Sequence, residues 1–129
     1  MSPKAKILAV DDEPFNLDIL NDYLTDAGFE VICVEDGLRA LAELEKTQFD
    51  LLIIDRMMPH LDGIQLLHQI KANPKFDALP VVMQTAAASP EQIVEGLRAG
   101  AYYYLTKPYN ETVLGAIVAP ALTQSRKLG

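Results

Sequence analysis

Four polar groups stand at the ends of short apolar segments of this 129-residue chain. Asp11-Asp12 follows residues 7–10, Asp55 follows 51–54, Thr85 follows 81–84 and Lys107 follows 102–106. Each segment has the length and composition of a β-strand. If the strands are parallel, their carboxyl ends meet at one edge of a sheet, where open α/β folds bind ligands. Three carboxylates, a hydroxyl and an ammonium group at one edge suit Mg²⁺-assisted phosphoryl transfer.

The three carboxylates predict a bound cation, because like charges about 4 Å apart repel by about 4 kcal/mol at an effective dielectric constant of about 20. Mg²⁺ is the predicted ion, since it prefers oxygen ligands and no Cys or His stands at zinc-ligand spacing beside the acids. Asp55, at the tip of a buried strand, is the candidate nucleophile, because aspartyl phosphate is an established type of covalent intermediate. Lys107 and Thr85 would offer a positive charge and a hydroxyl donor to the phosphoryl oxygens.

The apolar segments alternate with segments of helical period, and this order predicts βαβ units around a parallel sheet. Five strands and five helices fit the chain. Short right-handed connections favour a doubly wound α/β fold of flavodoxin-like type, with strand order 2-1-3-4-5. In that order the first and third strands are neighbours, so Asp11, Asp12 and Asp55 would face one another.

Helix limits are predicted from caps and breakers. The first helix follows Pro14 and ends at Gly28, the second spans residues 37–46, the third runs from Gly63 to Asn73-Pro74, the fourth from Ser89-Pro90 to Gly100, and the fifth begins after Asn110. The second helix is expected to bury Leu38, Leu41 and Leu44. The fourth has a thin apolar stripe, Ile93 and Leu97, which predicts weak anchoring. Pro120 should kink the fifth helix or loosen its last turns.

Composition limits the function. A chain of 129 residues, half of them hydrophobic, predicts one domain over residues 1–129, with a core of about 4–124 and a tail at 125–129. A net charge of −7 argues against nucleic-acid binding. The apolar segment after Lys4 and Lys6 is too short for a signal peptide or a membrane span, so a cytoplasmic location is expected. The lone Cys33 excludes an intramolecular disulfide and is expected to be a small buried residue.

Taken together, the motifs resemble the receiver domain of two-component response regulators, from about residue 4 to 122. They are Ile7-Leu8-Ala9-Val10-Asp11-Asp12-Glu13-Pro14, Asp55-Arg56-Met57-Met58-Pro59 with Asp62-Gly63, Thr85-Ala86, and Lys107-Pro108. Each motif alone is common. Four of them in order, each ending a predicted strand, are specific.

The resemblance implies a role for each site residue. Asp55 would accept a phosphoryl group from a sensor histidine kinase or a histidine phosphotransfer protein. Asp12, with Asp11 partly through water, would hold Mg²⁺ together with Asp55 and the backbone carbonyl of Met57. Thr85 and Lys107 would bind the phosphoryl group. The domain would catalyse only its own phosphoryl transfer and dephosphorylation.

The resemblance also implies a switch. Tyr104 matches an aromatic residue that moves between outward and inward positions as Thr85 shifts toward the phosphate, and the Lys107-Pro108 bond matches one that is usually cis. Phosphorylation adds charge and acceptor oxygens that would draw Thr85 and Lys107 inward. The fourth helix, fifth strand and fifth helix would then present a changed surface to a homodimer partner or to a covalently linked output domain. Tyr102 and Tyr103 are more typical of strand packing than of a partner interface.

Three other functions share parts of this pattern. A haloacid-dehalogenase-like phosphatase would need a second Asp where Met57 stands. A flavodoxin would need a phosphate-binding loop where Asp11-Asp12-Glu13 stands, and these carboxylates would repel phosphate. A phosphate-independent receiver-like interaction scaffold would not need Asp55, Thr85 and Lys107 together. The kinase, the output process and the oligomeric state leave no mark in the sequence.

Overall fold

The computed structural model describes residues 4–58, 62–86 and 89–128, with side chains as far as 123. Pro59 of the third-strand motif lies outside these residues. The elements are β1 (Lys6–Val10), α1 (Pro14–Asp26), β2 (Glu30–Val34), α2 (Gly37–Lys46), β3 (Leu51–Asp55), α3 (Gly63–Ala72), β4 (Val81–Thr85), α4 (Pro90–Arg98), β5 (Tyr103–Thr106) and α5 (Glu111–Leu128). The strands form one parallel sheet in the order β2-β1-β3-β4-β5. The predicted doubly wound fold is confirmed.

Helices cover both faces of the sheet. On one face, α1 and α5 pack through a cluster that includes Leu20, Leu24 and Val118. On the other face, α2 and α3 contribute Leu44 and Leu67 to a second cluster. β3 and β4 are buried at every position, as central parallel strands must be when both faces are covered. The body of each of these two strands is therefore firmly packed in the core.

Cys33 is exposed, so the prediction of a buried residue was wrong. β2 is one of the two edge strands, and it pairs with β1 alone, so its side chains have fewer neighbours than those of the central strands. Partial burial and the nearby Asp18 carboxylate raise the pKa of the Cys33 thiol. A raised pKa keeps the thiol protonated at neutral pH, which argues against a reactive role.

Leu38 is 70% exposed, which corrects the predicted stripe of α2. Asp36 caps the helix by accepting a hydrogen bond from the Arg39 backbone N–H at 2.7 Å, and the helix buries Ala40 and Leu44. Three residues turn an α-helix by about 300°, about 60° short of a full turn, so Leu38 and Leu44 lie about 120° apart around the helix. Only the later part of the stripe can face the sheet.

The last two helices differ in how firmly they are held. In α4 the sole buried residue is Gly96, which confirms the expected thin contact with the core. Of the predicted stripe, Ile93 packs against the core, but Leu97 is 45% exposed, so its assignment to the stripe was wrong. The 18-residue α5 continues through Pro120 and includes most of the predicted tail. Proline removes the hydrogen bond to the Ala116 carbonyl, but both residues are exposed, so water can replace the missing donor. None of the helices in the described part of the chain is long and apolar enough to cross a membrane.

Candidate functional site

The pairing of β1 with β3 brings the predicted acids together. Val10 is in register with Ile54, so the residues that follow each strand share one edge of the sheet. One carboxylate oxygen from each of Asp11, Asp12 and Asp55 lies within 4.8 Å of the others. Asp11 is fully buried, Asp55 is 5% exposed and Asp12 is partly exposed. The cluster therefore opens toward solvent on the side of Asp12.

Lys107 reaches this cluster from the end of β5. Its Nζ lies 3.0 Å from Asp11 Oδ2 and 3.5 Å from Asp55 Oδ2. Its backbone N–H donates to the Thr85 carbonyl at 2.7 Å, which extends the β4–β5 ladder to the lysine. The Lys107-Pro108 peptide bond is cis, as the resemblance implied. One ammonium group thus faces two of the three carboxylates.

Backbone donors orient the two buried acids. The Glu13 N–H donates to Asp11 Oδ1 at 2.9 Å, and the Met57 N–H donates to Asp55 Oδ1 at 3.3 Å. Both hydrogen bonds are accepted by Oδ1, and the Oδ2 atom of each carboxylate faces Lys107. The Met57 side chain is 66% exposed and points away from the core. The predicted metal contact of its backbone carbonyl stays a prediction.

The pKa of Asp55 is raised to about 6. Burial is the main cause, followed by the charge of Asp11, while Lys107 and the Met57 N–H act in the opposite direction. Without a divalent cation, ionising Asp55 therefore costs free energy. The donor set consists of carboxylate oxygens in an open cluster, and it fits a hard cation such as Mg²⁺.

Two residues that the sequence analysis missed stand behind Asp11. Gln84 is fully buried, and its Nε2 donates to Asp11 Oδ2 at 3.1 Å. The Tyr109 hydroxyl donates to Gln84 Oε1 at 2.6 Å. Burial, then the charges of Asp11 and Asp55, raises the pKa of Tyr109, so its hydroxyl keeps its proton. A polar Gln84 at the end of an otherwise apolar strand was the available signal.

The predicted switch residues lie on β4 and β5. Thr85 is 1% exposed at the end of β4, in register with Thr106 of β5. Tyr104 is 8% exposed and so occupies an inward position. Its hydroxyl accepts a hydrogen bond at 3.3 Å from Nη1 of Arg56, the residue after Asp55.

Arg56 also connects the site to α4, which the sequence did not indicate. Its Nη1 donates to the Gln92 carbonyl at 3.3 Å, and its Nη2 forms an ion pair with Glu95. Its side chain is only 13% exposed. A Cβ at Gly96 would lie 2.6 Å from Tyr104 Cε2, so the tyrosine ring fills the space that the missing side chain leaves.

The comparisons with known proteins agree with this geometry. The family model described as the response regulator receiver domain matches residues 7–119. The chain belongs to this family. It is 40% identical over 115 residues to the chemotaxis protein CheY-3 of Vibrio cholerae, an alignment that covers 88% of each chain. It is also 40% identical over 122 residues to the regulatory protein VanRc of Enterococcus gallinarum. That alignment covers 95% of this chain but 50% of VanRc, so the chain spans about half the length of that relative.

Solved structures show the same fold. The chemotaxis protein CheY4 of Vibrio cholerae superposes with a TM-score of 0.88 and 34% identity, covering 92% of this chain and 99% of that one. The receiver domain of the sensor histidine kinase PA1611 from Pseudomonas aeruginosa has a TM-score of 0.86 and 29% identity, with 94% and 99% coverage. That structure holds a magnesium ion coordinated in its active-site cleft. The chain is therefore a receiver domain of the two-component type, and the comparisons favour neither the phosphatase nor the flavodoxin alternative.

Proposed function

We propose that Asp55 is the phosphoacceptor and that it receives its phosphoryl group from a phosphohistidine of a sensor histidine kinase or a histidine phosphotransfer protein. One observation carries the proposal. The Asp55 carboxylate lies within a cluster of three acids and faces the Lys107 ammonium, its Oδ2 3.5 Å from Nζ. In this setting the carboxylate lies between negative charge from the other two acids and positive charge from Lys107, with the open side of the cluster at Asp12.

An oxygen of Asp55 attacks the phosphorus, the P–N bond to the donor histidine breaks, and an O–P bond forms. The Met57 N–H, 3.3 Å from Oδ1, fixes the carboxylate in the direction of attack. Lys107 and Thr85 bind the phosphoryl oxygens. Asp11, Asp12, Asp55 and the Met57 carbonyl would hold Mg²⁺, which when bound neutralises the charge shared by carboxylate and phosphoryl group.

The output surface is formed by α4, β5 and α5. Among the described side chains, its large exposed hydrophobic residues are Val94, Leu97, Tyr103 and Val113, with Tyr102 at its border. Tyr104 and Arg56 lie beneath α4, and Thr85 is in register with Thr106 on the strand that carries Tyr104. We therefore expect a shift of Thr85 toward a phosphoryl group to reach this surface through β5. The proposed partner there is a second copy in a homodimer or a linked output domain.

We also propose that residues 4–124 act as one cytoplasmic receiver domain, without direct nucleic-acid or membrane contact. The net charge of −7 supports the proposal that the domain does not bind nucleic acid directly. The domain turns over only its own aspartyl phosphate.

The test is intact mass spectrometry after incubation with Mg²⁺ and acetyl phosphate. The wild-type chain should gain the mass of one phosphoryl group, and Asp55→Asn should gain none. Asp22→Asn, which changes an exposed carboxylate on α1, is the matched control and should be phosphorylated normally. A gain in Asp55→Asn would contradict the assignment. No gain in the wild type would favour the phosphate-independent scaffold.

A further inference from the structure

Every oxygen of the Asp11 carboxylate has a donor. Oδ1 accepts from the Glu13 N–H at 2.9 Å. Oδ2 accepts twice, from Lys107 Nζ at 3.0 Å and from Gln84 Nε2 at 3.1 Å. Lys107 also lies 3.5 Å from Asp55 Oδ2, and in the proposed function it binds the phosphoryl oxygens. Gln84 is the neighbour of Asp55 in the β3–β4 register, but its side-chain amide donates to Asp11, and it lies on a fully buried central strand.

The orientation of the Gln84 amide is fixed from both ends. Its Nε2 faces the negatively charged Asp11, and its Oε1 accepts from the Tyr109 hydroxyl at 2.6 Å. A flipped amide would place oxygen against carboxylate, which is repulsive. Gln84 has no exposed surface, so each lost hydrogen bond leaves a buried polar atom without a partner. Tyr109 lies two residues after Lys107 and packs against the cluster of α1 and α5.

We propose that Gln84 and Tyr109 form a positioning relay for Asp11, which keeps this carboxylate aligned for the metal when Lys107 moves to the phosphoryl group. The proposal rests on the proposed function, because it takes Asp11 as part of the Mg²⁺ site. Tyr109 fixes the amide, the amide fixes Oδ2, and the Glu13 N–H fixes Oδ1. Gln84 and Tyr109 are positioning residues and touch neither the phosphoryl group nor the acceptor oxygen.

Outer partners of metal ligands commonly change metal affinity about 10- to 100-fold. Gln84→Leu should therefore weaken Mg²⁺ binding by about tenfold or more. Tyr109→Phe acts one bond further out and should weaken it by about three- to tenfold. Isothermal titration calorimetry with MgCl₂ alone measures both. Tyr103→Phe removes a hydroxyl from an exposed tyrosine of β5 and should leave the affinity unchanged.

A double-mutant cycle separates a relay from two independent contacts. Once Gln84 is leucine, Tyr109 has no amide to orient, so the double variant should bind Mg²⁺ as weakly as Gln84→Leu and no more weakly. Additive losses would overturn the relay. Urea unfolding of the metal-free variants shows whether each is folded, and lowered stability with unchanged Mg²⁺ affinity would assign the two residues a structural role only. If Gln84→Leu does not fold, Tyr109→Phe against Tyr103→Phe decides.

The outcomes distinguish this proposal from the proposed function. If the wild type binds Mg²⁺ and is phosphorylated, but Tyr109→Phe keeps wild-type affinity, the relay alone fails. If Tyr109→Phe weakens Mg²⁺ binding while the wild type gains no phosphoryl group from acetyl phosphate, the relay stands and the acceptor assignment fails. A wild type that binds no Mg²⁺ overturns both.

Discussion

Arg56 donates a hydrogen bond from Nη1 to the hydroxyl of Tyr104 over 3.3 Å, which joins the residue after the proposed acceptor to the proposed switch residue. The same guanidinium holds α4 through the Gln92 carbonyl and the Glu95 carboxylate. α4 has little apolar contact with the core, so these polar contacts carry much of its attachment. The inward position of Tyr104 and the position of α4 are therefore coupled through one side chain.

Arg56→Gln should release Tyr104. The shorter amide cannot reach the Tyr104 hydroxyl, Gln92 and Glu95 together, so the ring should sample the outward position and stability should fall by about 1 kcal/mol. In protein labelled with 3-fluorotyrosine, the ¹⁹F resonance assigned by its absence in Tyr104→Phe should shift or broaden. Arg39→Gln breaks an exposed pair with Asp36 and should leave that resonance in place. An unchanged Tyr104 signal in Arg56→Gln would contradict the coupling.

Gly96→Ala should displace the Tyr104 ring, because the new Cβ would lie 2.6 Å from Cε2 and 2.7 Å from Cδ2. The better helix propensity of alanine is then outweighed by the clash, and a net loss of about 1–3 kcal/mol is expected in urea unfolding. The fluorotyrosine spectrum should show the same outward shift as Arg56→Gln.

Gly115→Ala is the matched control for this change. Gly115 also lies within a helix, yet a Cβ there would meet no atom within 4 Å. This variant should gain about 0.5–1 kcal/mol from the lower conformational entropy of the unfolded chain. Equal effects of the two alanines would show that the Tyr104 ring does not need the space at Gly96.

The metal-free protein should lose stability as pH rises from about 4 to about 6. Asp55 has a pKa of about 6 in the folded chain against 3.8 for the ordinary side chain, so over this range the folded state binds more protons than the unfolded state. The stability that Asp55 contributes by holding its proton is fully present below a pH of about 4 and is lost above a pH of about 6. The total loss is up to about 3 kcal/mol. Urea unfolding at a series of pH values without Mg²⁺ measures the slope.

Asp55→Asn provides the control, because an amide does not titrate. This variant should lack that part of the slope and should exceed the metal-free wild type in stability at pH 7. Saturating Mg²⁺ binds the folded state alone and should restore the wild type at neutral pH. A wild type and an Asp55→Asn variant with identical pH profiles would refute the raised pKa.

Lys107→Met should bind Mg²⁺ at least about threefold more tightly than the wild type, because the ammonium group competes with the ion for the same carboxylates. Its Nζ lies 3.0 Å from Asp11 and 3.5 Å from Asp55. Calorimetry with MgCl₂ measures the change, and Lys75→Met, which removes an exposed lysine paired with Glu45, should have no effect. Weaker Mg²⁺ binding by Lys107→Met would show that the lysine organises the acids instead of competing for them.

The sequence predicted the sheet and the meeting point of the acids because both depend on local patterns. β3 and β4 are uniformly apolar until their last residues, so their central places in the sheet followed from composition. Once β1 and β3 are neighbours, Asp11 and Asp55 must converge. The cap of α4 was equally local: Ser89 accepts a hydrogen bond from the backbone of the third residue of its helix.

Local sequence patterns could not predict which side chains contact each other across the sheet. Gln84 contacts Asp11 from 73 positions away, and Arg56 contacts Tyr104 from 48, so no spacing in the chain indicates either pair. Cys33 was wrongly expected to be buried because the expectation followed the apolar character of its segment, although the predicted strand order 2-1-3-4-5 places the second strand at an edge of the sheet. The prediction that Leu38 is buried was wrong for a different reason, because three leucines at intervals of three do not stay on one side of a helix.

Gly63, the first residue of α3, has a further consequence. A Cβ there would stand 2.5 Å from the Asp55 carbonyl oxygen and 2.8 Å from Arg56 Cα, so the helix begins in direct contact with the main chain of the acceptor. α3 is itself held by Ile64, Leu66, Leu67 and Ile70 in the core. We therefore expect the side of the cleft that carries Asp55 to stay in place on phosphorylation, and the rearrangement to occur on the opposite wall, in α4, in β5 and at the last residue of β4.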